Sequence, residues 1–375
     1  MPASIDTFWK LSSDEVLIQE KVGKGFYSTV FRGTFHGVDV AIKHIVPINY
    51  SKREVILLHR EISVLKTLRH PHITSLIGII ADRDEDIKMV MEFAENGDLR
   101  NYLKNSKNKP TWKERIQIAY EVASAMAYLH SRSIIFRDLK GRNILLNKHL
   151  NVKLCDFGLA RYFTAGMNSV TSTPHLSGRN ISSNVGTPAF MAPEILLQQP
   201  YNEKIDVFAF GLVIIELVTR QKIGETIERT TNGVDLSNIS HFVPTDCPAD
   251  LLKLSEICSA SKAEERPPFD TILKILLWIR DGVGGGDNLL LQFQSNRAPQ
   301  PLKQPASSQK PPPTAQKATN SSPSNSNTKP NNSNPNPSGT SKRGGRGGQN
   351  AGQNAGRNAG ERVVPGGVPV NKRRK

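Results

Sequence analysis

The chain has 375 residues, 37% of them apolar, and a net charge of +15, so it is long enough for one large or two ordinary domains with a hydrophobic core. Cys155, Cys247 and Cys258 are its only cysteines, too few and too scattered for a disulfide framework or a zinc site, and they point to a reducing compartment. The charge is uneven: residues 286–375 hold fourteen Lys/Arg against Asp287 and Glu361, a net of +12, whereas residues 1–285 hold 35 basic and 32 acidic groups.

The N-terminus shows neither a basic-then-apolar leader nor, in its opening MPAS, a myristoylation pattern. Residues 16–45 alternate with strand periodicity: 16–22, then 29–33, then 38–43. Gly23-Lys-Gly25 falls at the turn between the first two, where glycines let backbone approach phosphate. A G-x-G-x-x-G pattern is incomplete here because its third position is Ser28, and many hairpin turns carry Gly-x-Gly. A helix does not follow the turn and no Gly-Lys-Ser/Thr closes it, which excludes dinucleotide-fold and P-loop readings.

Val40-Ala-Ile-Lys43 places a single lysine in an apolar strand, where it is costly unless paired. Glu61 lies eighteen residues on, in a helical stretch with Ile62, Leu65 and Leu68 on one face, and is the candidate partner. Further along, Phe136-Arg-Asp138-Leu-Lys140-Gly-Arg-Asn143 precedes Asp156-Phe-Gly158 by a spacing that suits a metal–triphosphate site beside a hydroxyl to be deprotonated. Gly186-Thr-Pro-Ala-Phe-Met-Ala-Pro-Glu194 and Glu265-Arg-Pro-Pro268 follow. The longest apolar run, 207–218, contains Gly211 and Glu216 and is too short to span a bilayer, so a soluble intracellular, cytoplasmic protein is expected.

In this order the motifs resemble those of eukaryotic protein kinases over residues 16–281. The lead-in from Trp9 to Ile18 and the stretch Leu68-Arg-His-Pro-His-Ile73 resemble the serine/threonine enzymes of the tyrosine-kinase-like group. The resemblance implies an α+β, two-lobed kinase fold: a small β-rich lobe over about 16–91, a hinge at 92–95 and a large helical lobe over about 96–281, with 1–15 as lead-in. It implies ATP and Mg²⁺ as cofactors and protein Ser/Thr hydroxyls as acceptors, with dual specificity or a pseudokinase scaffold as alternatives.

By the same resemblance, Lys43 holds the α- and β-phosphates, fixed by Glu61. Val22, Gly23, Lys24 and Gly25 cover the phosphates. Val30 and Ala41 cap the adenine, with Leu145 as its floor and Met91 as gatekeeper. Backbone groups of Glu92 and Ala94 bond adenine, and Asp98 reaches the ribose. Asp138 is the base, Lys140 neutralises the γ-phosphate and marks Ser/Thr-type chemistry, and Asn143 and Asp156 are the metal ligands. Glu194 pairs with Arg266, and Asp206 anchors the catalytic-loop backbone. Phe136 stands where the family usually has histidine, and the expectation is that it keeps the packing under Phe157 and loses a hydrogen bond. Cys155 faces the nucleotide pocket as a packing residue. Thr187 is expected to position the loop near Asp138, and Arg137 to meet a phosphate on Ser or Thr within 169–183.

Helical periodicity ends near Arg280, before Gly282-Val-Gly-Gly-Gly286. Residues 282–375 are Pro/Asn/Gly-rich and basic, a composition that cannot offset the entropy of ordering, so disorder is expected. Within that tail, 343–348 resembles an RGG segment suited to RNA contact and 372–375 a nuclear-import signal, beside the plainer reading of a solvated basic tail.

Overall fold

Strand alternation over 16–45 is realised as β1 (Val16–Lys24), β2 (Thr29–Phe35) and β3 (Val38–Ile45), paired antiparallel. His36 and Gly37 close the β2–β3 hairpin with both φ values positive, the two-residue turn whose twist suits paired strands. With β4 (Leu76–Arg83) and β5 (Asp86–Glu92) they form one sheet in the order β1-β2-β3-β5-β4. The computed structural model describes residues 7–24, 28–45, 52–83, 86–163 and 187–281, all within one compact unit. The tail, Gly25 and the 169–183 hydroxyls lie outside them.

The sheet has two apolar faces. Val16, Val40, Ile42, Ile80 and Val90 form one small core. The other face meets α1 (Lys52–Thr67) through Ile79, Met89, Leu58, Ile62 and Leu65. Residues just before β1 join this layer: Leu11 N–H donates to Ile79 O at 2.9 Å, and Trp9 is buried beneath Arg69. Gly78 has no room for a side chain, since a Cβ there would lie 2.4 Å from Leu11 Cγ.

The second layer is helical: α2 (Leu99–Lys104), α3 (Trp112–Ser131), α4 (Pro193–Leu196), α5 (Lys204–Thr219), α6 (Ala249–Cys258) and α7 (Phe269–Asp281). A capping box of Thr111 and Glu114 starts α3. The longest apolar run of the sequence becomes α5, buried from Ile205 to Thr219, as a helix apolar on all sides must be. Buried Arg115 donates to the carbonyls of Leu217 and Val218 at the end of that helix. Among the described residues, no helix is long and apolar enough to cross a membrane. Short strand pairs carry the loops between the layers: β6 (Ile134–Ile135) with β9 (Arg161–Tyr162), and β7 (Ile144–Leu146) with β8 (Val152–Leu154).

Candidate active site

Lys43 sits on β3 between the wholly buried Ile42 and the partly buried His44, and its strand pairing aligns it with Val30 and Met89. Its Nζ lies 2.8 Å from both carboxylate oxygens of Glu61 on α1 and 3.6 Å from Asp156 Oδ1. Burial alone acts to push the Lys43 ammonium down and the Glu61 carboxyl up. Attraction between the pair opposes both shifts, and with Asp156 added Lys43 is held above its ordinary value. The lysine that strand position made improbable is therefore stable as a cation.

Asp206, near the start of α5, holds the loop after β6. Its Oδ2 accepts from Phe136 N at 2.9 Å and its Oδ1 from Arg137 N at 2.8 Å. His130, from the last turn of α3, contacts the same Oδ2 at 2.9 Å. That residue carries no motif signal, and only the packing of α3 on α5 brings it there. Both bonds from the loop come from main-chain N–H groups, so a phenylalanine at 136 leaves the anchor intact. The Phe136 side chain is fully buried, edge-on to Phe157 with ring centroids 5.1 Å apart.

Arg137 and Asp156 both adopt left-handed backbone, φ 72° and 66°. Non-glycine residues in this region cost about 1–3 kcal/mol and cluster where the surroundings impose them for function.

Asp138 Oδ2 receives Lys140 Nζ at 2.6 Å and Asn143 Nδ2 at 2.8 Å. Its other oxygen, Oδ1, is buried and has no hydrogen-bond partner among the described residues. Burial raises the Asp138 carboxyl above the ordinary carboxylate range, with Lys140 working against the rise. Asn143 spends its amide nitrogen on Asp138, on both the side chain and the main-chain carbonyl. Its Oδ1 is left as an acceptor. Asp156, half exposed at its side chain, is held below the usual range mainly by Lys43. These oxygens are hard donors, and among the described residues no group of three His, Cys, Asp or Glu side chains forms a metal cage. The set suits Mg²⁺, which keeps phosphate and water oxygens in its shell, rather than an ion needing an all-protein site.

On the sheet side, Val22, Gly23 and Lys24 end β1, with Gly23 opposite Val30. Ala41 is paired across the sheet with Met91, and Met91 is buried. Leu145 on β7 makes an isolated bridge with Asp98. The Glu92 carboxylate meets Lys153 of β8 at 2.6 Å, tying the end of the sheet to the helical layer, a contact with no sequence signal. Ala94 O accepts from Gly97 N at 3.2 Å. Asp98 caps α2, taking Asn101 N and Nδ2 at 2.8 and 2.7 Å, one bond to each oxygen, which leaves the carboxylate acceptor capacity beyond the cap. Cys155 is half-buried, and burial pushes its thiol up, away from the thiolate. Thr187 Oγ1 accepts from Lys140 Nζ at 2.9 Å, linking the 187–192 turn to Asp138. The Glu194–Arg266 pair is bidentate at 2.6 and 2.9 Å.

A model of the protein tyrosine and serine/threonine kinase domain matches residues 16–276. The chain belongs to this kinase family. Among curated relatives, two proteins of Dictyostelium discoideum named "Probable serine/threonine-protein kinase" are 34% and 36% identical over 286 and 273 residues. They cover 76% and 71% of this chain, and the matches take up 46% and 28% of their own lengths. The "Kinase and exchange factor for Rac A" of the same organism is 34% identical over 310 residues, 72% of this chain and 23% of that protein. The chain thus spans less than half the length of these relatives. What the kinase match covers is the two-layer unit built around Lys43, Asp138 and Asp156.

Proposed function

We propose that the chain transfers the γ-phosphoryl group of ATP to serine and threonine hydroxyls of proteins. The observation that carries this reading is the divided carboxylate of Asp138: one oxygen locked by Lys140 and Asn143, the other buried and unpaired among the described residues. An unpaired buried acceptor costs about 1–3 kcal/mol, which an incoming hydroxyl would recover. Names of the relatives and Lys140, two residues after Asp138, favour Ser/Thr over tyrosine.

In this reading, Lys43, fixed by Glu61, binds the α- and β-phosphates, while Val22, Gly23, Lys24 and Gly25 cover them. Val30, Ala41, Met91 and Leu145 enclose the adenine and the main chain of Glu92 and Ala94 bonds it. Asn143 and Asp156 hold Mg²⁺, which when bound would neutralise phosphate charge. Asp138 Oδ1 orients the acceptor hydroxyl and takes its proton as the new O–P bond forms and the bond to the ADP oxygen breaks. Raised by burial, that carboxylate is a better base than a solvated one. Lys140 donates to the transferring group while Thr187 keeps it in place.

Arg137 extends the proposal to regulation. Its Nε is buried with no hydrogen-bond partner among the described residues, which supports pairing with a phosphate on 169–183. Mass spectrometry of active protein finding that window unmodified overturns this part. RNA contact through 343–348 and import through 372–375 are tested by deleting residues 341–375, with unchanged RNA association and location counting against both.

The test of the activity is γ-labelled ATP with Mg²⁺, the purified full chain and dephosphorylated casein, beside Asp138→Asn and a chelator control. Label on serine and threonine that both controls abolish is expected. Nucleotide binding with no transfer above the Asp138→Asn background would establish a scaffold instead.

A further inference from the structure

The turn that carries Thr187 is held from behind by a residue outside every motif. Arg229 lies in the loop after α5, and its guanidinium donates to Ala189 O through Nε at 3.2 Å and to Met191 O through Nη2 at 2.5 Å. Its Nη1 reaches Gly233 O at 3.4 Å, so one fork joins two turns. The buried ring of Phe208 on α5 lies 4.9 Å from Arg229 Cζ and 5.0 Å from Arg266 Cζ. A planar guanidinium can stack on the ring and serve two carbonyls together; a lysine ammonium provides one compact donor head.

Gly224 presses on the same turn independently. A Cβ there would sit 2.7 Å from Ala189 Cβ, and its φ of +82° suits glycine. The turn itself is tight, with Phe190 N donating to Thr187 O at 2.9 Å and Met191 N to Pro188 O at 3.2 Å. Asp138, Thr187, Phe190, Met191 and Ala192 line one cleft. At its near end Thr187 takes the Lys140 hydrogen bond, and Lys140 holds Asp138.

We propose that Arg229 is a positioning residue for the protein acceptor. It acts through the carbonyls of Ala189 and Met191 and sets the 187–192 turn against which the chain flanking the acceptor hydroxyl docks. This rests on the kinase reading of the site. Arg229's hydrogen bonds go to Ala189, Met191 and Gly233 and its guanidinium stacks on Phe208, so its loss should loosen acceptor docking ahead of phosphoryl transfer. Misplacement of a positioning element by an ångström can cost on the order of a hundredfold in rate.

The experiment compares the wild-type full chain with Arg229→Ala and Arg229→Lys, using dephosphorylated casein as acceptor. For Arg229→Ala, KM for casein should rise about tenfold with kcat and KM for ATP within about twofold, the signature of lost acceptor binding. Arg229→Lys, able to keep one carbonyl, should fall between the two. Equal loss in kcat and in both KM values, or no change in KM for casein, overturns the proposal. Hydrogen exchange gives an answer even if the wild type transfers no phosphate. The amides of Phe190 and Met191 should exchange faster in Arg229→Ala while those of α5 stay protected. Unchanged exchange at the turn overturns the proposal, whereas absent wild-type transfer overturns the kinase reading alone. Should Arg229→Ala fail to fold, Arg229→Lys carries the same comparisons.

Discussion

Phe136 packs edge-on against Phe157, ring planes at 71° and both side chains fully buried. The contact joins the 136–143 loop to the segment that carries Asp156. Its backbone neighbour bonds go to Asp206, independent of the side chain. A residue that departs from the usual histidine is thus a well-packed part of the core.

Phe136→His should therefore weaken the fold and leave transfer in place. The imidazole brings polar nitrogens into an apolar site, a cost of about 1–3 kcal/mol where they find no partner. A thermal melt should show a lower Tm, with phosphoryl transfer within about tenfold of wild type, roughly 1.4 kcal/mol in barrier. Activity appearing only in the histidine variant would show that Phe136 disables the site.

Lys43→Met should abolish transfer and also cost stability. It removes the cation between Glu61 and Asp156, leaving the buried Glu61 carboxylate uncompensated. Breaking a buried pair by removing one partner costs roughly 3–5 kcal/mol. Adding Glu61→Gln should restore most of the stability and none of the activity, as read by urea denaturation beside the transfer assay.

Arg266→Lys should behave as a severe change despite keeping the charge. The 0% exposed guanidinium donates to Ala260 O, Lys204 O and Ser261 O as well as to both Glu194 oxygens. A lysine has three donors on one point and cannot reproduce that fork. A loss of about 3–5 kcal/mol in chemical denaturation is expected, comparable to breaking the buried pair. A loss below about 1 kcal/mol would mean that the surroundings re-form around the smaller group.

Glu216 on α5 sets a pH dependence. It is buried, its nearest cation, Arg100, is 3.9 Å away, and burial pushes its carboxyl up to about 7. Because the folded value lies above the unfolded one, the native state binds more protons between pH 4.5 and about 7. Stability from this group is present below pH 4.5 and lost as pH rises through 7, by roughly 3 kcal/mol at most. His70, lowered to about 4 by burial and by His72, acts with the opposite sign and loses stability as pH falls below 6.5. Urea denaturation of wild type and Glu216→Gln at pH 5 and pH 8 isolates the first effect. The variant should gain on wild type at pH 8; a pH-independent difference would place the Glu216 proton elsewhere.

By itself, the sequence marked the candidate site residues and the elements that hold them. Lys43 in a strand, Glu61 on a helix, the 136–143 run and Asp156 are short-range patterns, and local periodicity and motif spacing are enough to find them. The buried Lys43–Glu61 pair was also legible, because a charge in an apolar strand must find its opposite, and the Glu194–Arg266 pair was legible through the resemblance to protein kinases. What tertiary structure decided were contacts between segments far apart in the chain. His130 joins Asp206, Lys153 joins Glu92, and Arg229 holds the carbonyls of Ala189 and Met191. Main-chain carbonyls are present at every residue and leave no mark in composition, so a side chain that serves them is invisible until the fold brings it there.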